Sequence, residues 1–84
     1  MKLLFMLSKN QMHIVFEYEK NEKYTLSIKT LNGNRLIHEY SRTVATKQQL
    51  AQMINTRAKY YEQQGYKTRS LMVRDVKEIK KLLD

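Results

Sequence analysis

Residues 46–65 read TKQQLAQMINTRAKYYEQQG, and within this stretch the hydrophobic period of the chain changes. On a wheel turning about 100° per residue, Leu50, Ile54 and Tyr61 fall on one line, with Met53 and Ala58 flanking it. An apolar stripe of that width predicts a helix laid against a sheet. Thr46 and Gln49 have the spacing of a capping box, in which the hydroxyl accepts from a free amide and the Gln side chain reaches back. Gly65 suits the position just past the helix, where a left-handed residue stops it. The helix body is therefore expected over 47–64, about 27 Å long at 1.5 Å per residue.

Upstream, the period is two. In MHIVFEYEK, Met12, Ile14, Phe16 and Tyr18 share one face, and His13, Glu17 and Glu19 share the other. In KYTLSIKTL, Tyr24, Leu26 and Ile28 alternate with Lys23, Thr25, Ser27 and Lys29. The segment RLIHEYSRTV alternates less cleanly, with Leu36 and Tyr40 as its expected inward pair. Residues 3–7 are apolar throughout, as in a strand covered on both faces. Asn32-Gly33 between the third and fourth strands predicts a type I′ hairpin, which needs positive φ at both central residues. Downstream, RSLMVRDVKEIKKLLD reads as a short strand at 70–73 followed by a helix from Asp75, where Asp75 and Glu78 resemble a second capping box. A single helix from Ser70 is the competing reading. The predicted fold is α+β, in one domain spanning 1–84: an antiparallel four-stranded meander, with a fifth short strand, and two helices in the C-terminal half.

Leu4, Met6 and Val15 are expected on the sheet side opposite Phe5, Ile14 and Phe16. A second apolar face calls for a cover, either the last helix or a second copy of the chain. These three residues are therefore candidates for a dimer interface.

Composition narrows the chemistry. With no cysteine, thiolate–zinc sites and disulfides are excluded. Two histidines on different strands, His13 and His38, with Glu17 and Glu39 nearby in sequence, make a weak metal set. Ser8, Ser27, Ser41 and Ser70 sit in no nucleophile motif, and Gly33 and Gly65 are too far apart for a phosphate loop. The chain is read as non-enzymatic and without a cofactor. Residues 3–7 are too short an apolar run for a secretory signal, and no stretch is long enough to span a membrane, so a cytoplasmic location is expected.

The formal net charge is +8, of which +2 belongs to residues 1–41 and +6 to residues 42–84. That asymmetry points to an anionic partner, a nucleic acid or an acidic protein. Of the aromatics near Gly65, Tyr61 belongs to the packing stripe and Tyr66 has the position to fold back on it, which leaves Tyr60 free to stack on a base. The expected nucleic-acid-binding residues are Lys59, Tyr60, Lys67, Arg69, Arg74, Lys77, Lys80 and Lys81. Arg57 falls inside the apolar sector and needs an exit to water, an internal partner such as Glu39, or a bound molecule. The function expected is a small nucleic-acid-binding accessory protein. The rival is a homodimeric interaction module, a small regulator or inhibitor of the phage-accessory type, acting through the apolar sheet face.

Overall fold

A computed structural model of the chain describes residues 1–68 and 75–83. The strand expected at 70–73, together with Arg69 and Arg74, lies outside the described residues. Strands β1 (Lys2–Lys9), β2 (Met12–Lys20), β3 (Tyr24–Asn32) and β4 (Arg35–Val44) form the antiparallel meander. Helix α1 (Lys47–Gln63) follows, then a two-residue strand β5 (Lys67–Thr68), then helix α2 (Val76–Leu82). The sheet order is β4-β3-β2-β1-β5, with β5 antiparallel to β1 at Leu7 and Ser8. The class is α+β. No described helix is long and apolar enough to cross a membrane.

Both helices cover the same sheet face. Phe5, Leu7, Ile14, Phe16, Tyr18, Leu26 and Ile28 from the strands share one core with Leu50, Ile54 and Ala58 of α1 and with Ile79 and Leu83 at α2. The Tyr18 hydroxyl donates to the Leu83 carbonyl across that face, 3.4 Å away. Burying each such apolar side chain contributes about 1.5–3 kcal/mol, and Phe16, stacked on Phe5 at 4.7 Å, lies at the centre. No described element covers the opposite face, which carries the exposed Leu3, Met6 and Leu36. The last helix is thus not its cover.

The two ends of α1 form as local chemistry dictates. Thr46 accepts from the Gln49 amide at 3.1 Å, and the Gln49 side chain accepts from the Thr46 amide at 3.1 Å. At the other end, Tyr66 N–H donates to the Tyr61 carbonyl and Gly65 N–H to the Glu62 carbonyl, with Gly65 at φ +95°. This is the six-to-one and five-to-two pairing of a Schellman stop. Lys9, the last residue of β1, adds a bond from Nζ to the Gln64 carbonyl at 2.8 Å. The last turn of α1 has no basic residue of its own. A strand supplies the cation that favours a helix C-terminus. At α2, the Asp75 carboxylate accepts from the Glu78 amide at 2.8 Å. The Glu78 carboxylate lies instead 3.6 Å from Lys81, so only the first half of the expected box forms.

Three details depart from the alternation of the sequence. The β3–β4 hairpin turns on Gly33-Asn34, because Asn32 still pairs with Arg35. Gly33 has φ +60° and neither Asn32 nor Asn34 has positive φ, the pattern of a type II′ turn in place of the expected I′. The register of β3 with β4 slips between Thr30 and Leu31, so Leu36 pairs with Leu31 while His38 pairs with Thr30. One extra residue, Ile37, reverses the parity of the strand. Tyr40 faces the core, but Leu36, its expected inward partner, lies on the open face and is half exposed. A matching slip in β1 between Leu3 and Phe5 turns Leu4 onto the core. Leu4 is thereby removed from the candidate dimer face, and Leu3 stands there in its place.

Candidate nucleic-acid interface

Tyr40 pairs with Ile28 and Arg42 with Leu26, so both lie on the helix-bearing side of β4, the edge strand. The flank of α1 above them bears Met53, Thr56, Arg57 and Tyr60. Together with Tyr61 these residues line an open cleft of about 550 Å³. Such a volume is within the range of small-molecule and nucleotide sites.

Arg57 is the centre of the cleft. Its guanidinium lies over the Tyr40 ring, 4.3 Å from the centroid. The ring face offsets part of the cost of holding the cation there, and the guanidinium keeps five N–H donors for hydrogen bonding. The internal partner is therefore an aromatic ring and not Glu39, which lies on the open face and accepts from the Ser27 hydroxyl at 3.4 Å. Among the described residues no carboxylate forms an ion pair with Arg42 or Arg57.

The tyrosines report the resulting field. Burial by itself would raise the pKa of the Tyr40 phenol. Hydrogen bonding to Arg57 and Arg42, and their charges, outweigh it and hold Tyr40 below the ordinary tyrosine value. Tyr61 is pushed the other way by burial, with Arg57 opposing. Tyr61 is also the structural anchor of the group: its ring meets Phe16 at 6.3 Å, Tyr66 at 5.7 Å and Tyr60 at 5.4 Å, each edge to face. Tyr60 remains 54% exposed.

The expected binding residues separate in space. Lys59 is exposed but points about 100° away from Tyr60 around the helix. Lys67 stands in β5, at the sheet edge opposite β4. Four strand spacings of about 4.8 Å put these edges roughly 19 Å apart. Helix α2 packs beside α1. Its lysines Lys77 and Lys81 are exposed, and Lys80 is half buried. The cleft takes in Tyr60 alone from the expected set, joined by Arg57 and by two residues that sequence reasoning left out, Tyr40 and Arg42. The odd placement of Arg57 in an apolar sector was the signal that a partner existed.

A second cleft, of about 560 Å³, lies near Lys2, Tyr18, Glu19, Lys20 and Tyr24. It sets the Glu19 carboxylate among Lys2, Lys20 and Lys47, and Lys20 sits over Tyr24 at the longer distance of 5.8 Å. His13 and His38 are not neighbours: His13 pairs with Leu31 on the open face and accepts or donates with Ser8 at 2.7 Å, whereas His38 pairs with Thr30 on the other side of β3. Among the described residues no group of three or more His, Asp or Glu side chains converges to hold a metal. Comparison of the chain with protein families, with curated proteins and with solved structures gave no match.

Proposed function

We propose that the chain is a non-enzymatic nucleic-acid-binding accessory protein. The observation that carries this reading is the pair of arginines, free of carboxylate partners among the described residues, set beside an exposed tyrosine in one open cleft. Guanidinium groups bind phosphate through a planar fork of donors, and tyrosine offers a flat face to a base. Lys59, Lys67, Lys77 and Lys81 would add long-range attraction without fixing geometry. The test is fluorescence anisotropy with labelled oligonucleotides over a salt series. Affinity should fall steeply as salt rises, with a logarithmic slope of about −0.7 per phosphate neutralised on a single strand. No binding at low salt refutes the proposal, since even nonspecific contacts would register there.

The rival reading, self-association through the open sheet face, is supported by the exposure of Leu3 and Leu36 at 66% and 49%. A Leu3→Lys, Leu36→Lys double variant should then convert a dimer to a monomer in sedimentation analysis. A wild-type chain that sediments as a monomer removes this reading.

A further inference from the structure

We infer that the cleft between β4 and α1 is a site for one unpaired nucleotide, its base stacked on Tyr60 and its phosphate held between Arg42 and Arg57. This deepens the nucleic-acid reading and rests on it.

The aromatic is pre-set. Tyr60 is held at 74° to Tyr61, and Tyr61 is itself wedged at 88° against Phe16 in the core. An exposed ring fixed from behind loses little freedom when a base lands on it. The cations stand beside it. Arg57 lies over the Tyr40 ring at 4.3 Å, and Arg42 stands two residues from Tyr40 on the same strand face. Met53 supplies an apolar wall of the cleft. A phosphate at the arginines and a base at the tyrosine are the two ends of one nucleotide.

Size and shape separate single strands from duplexes. A cleft of about 550 Å³ holds a nucleotide but not a double helix. In a duplex the base faces are already stacked and cannot reach a tyrosine ring. Duplex binding through the scattered lysines would need neither Tyr60 nor the arginine pair. An acidic peptide would engage the arginines but has no flat partner for Tyr60.

The experiment compares a single strand of about 12 nucleotides, a site size typical of such binders, with a duplex of equal length and with polyglutamate. The full chain is titrated alongside its Tyr60→Ala, Tyr60→Phe and Arg42→Gln variants. The wild type should prefer the single strand over both competitors. Tyr60→Ala should weaken single-strand binding about 5- to 150-fold, the usual loss for one stacked base, with the salt slope unchanged. Tyr60→Phe should retain the affinity. Arg42→Gln should weaken it and reduce the salt slope by about 0.7. A strand bearing 5-iodouracil should crosslink to Tyr60. Equal affinity for duplex and single strand, or a Tyr60→Ala variant that binds as the wild type does, overturns this assignment while nucleic-acid binding stands. Polyglutamate bound as tightly as the single strand also overturns it. No binding of any oligonucleotide at low salt instead overturns the broader function.

Discussion

Replacing Gly65 by alanine isolates the backbone contribution of the α1 stop. The nearest atoms to a β-carbon built at Gly65 belong to the Lys9 side chain, at 3.7–3.8 Å, which is ordinary contact with a flexible group. No clash is created, so the cost is conformational. At φ +95° an L-residue is strained by about 1–2 kcal/mol. The stiffer unfolded chain returns about 0.5 kcal/mol. The expected net loss is about 1 kcal/mol, equivalent to a fall in Tm of about 4–8 °C for a domain of this size. Urea and thermal melts followed by far-UV circular dichroism would measure it. Gly65→Asn should lose less, because asparagine tolerates the left-handed region. The contrast also separates backbone from side chain: Tyr66→Ala keeps the stop but removes the ring that packs on Tyr61 at 5.7 Å. An alanine variant as stable as the wild type, or an asparagine variant worse than alanine, would refute the left-handed stop as the reason for this glycine.

Other outcomes follow from the caps, the core and the tyrosine pair. Thr46→Ala removes one side of a complete capping box and should cost about 1 kcal/mol in the same melts. Ile54→Ala, fully buried under the sheet, should cost about 2–5 kcal/mol and leave the chain marginal or unfolded. In tyrosine-labelled NMR titrations Tyr40 should ionise at lower pH than Tyr61, and Arg57→Gln should move Tyr40 upward. The depressed Tyr40 value stabilises the fold above the unfolded tyrosine value of about 10, and this contribution disappears as pH falls through the folded value. The raised Tyr61 value has the opposite sign: its contribution is present below about 10 and is lost as pH rises through the folded value.

The features legible in the sequence are those set by neighbours along the chain. Thr46 with Gln49, Gly65 with Tyr66 and Tyr61, and the alternation of β2 and β3 all involve residues a few positions apart, so spacing determines the contact. The features that escaped depend on pairing between strands. Ile37 bulges because β4 must match β3, and that one insertion sends Leu36 outward while Tyr40 stays inward. Leu4 turns onto the core for the same reason in β1. The cleft escaped for a related one. Tyr40 and Arg57 come from different elements, and no local pattern announces that an edge strand and a helix flank will meet. Counting basic residues along the C-terminal half instead grouped Lys59, Lys67 and the α2 lysines, which occupy different edges and faces once the sheet forms.

The two sides of the sheet handle charge differently, and this gives Arg57 a decisive test. On the open face Glu17 pairs with Lys29 at 3.0 Å, and both Glu17 and Glu39 raise the Lys29 value, so acids and base offset one another there. On the helical side Arg42 and Arg57 have no such carboxylate among the described residues. A half-buried cation without an acid is not a device for stability; a stacked arginine contributes about 0.5–1 kcal/mol, comparable to the fraction of the about 1.5–3 kcal/mol of full burial that an apolar side chain recovers at a half-buried position. Arg57→Met should therefore unfold within about 0.5 kcal/mol of the wild type while losing most of its affinity for single strands. If the arginine were structural, the order would reverse, with a loss of 2 kcal/mol or more in stability, on the scale of broken buried charge pairs. Measuring urea midpoint and oligonucleotide affinity on the same Arg57→Met preparation distinguishes the two, because stability and binding are predicted to separate in one case and to fall together in the other.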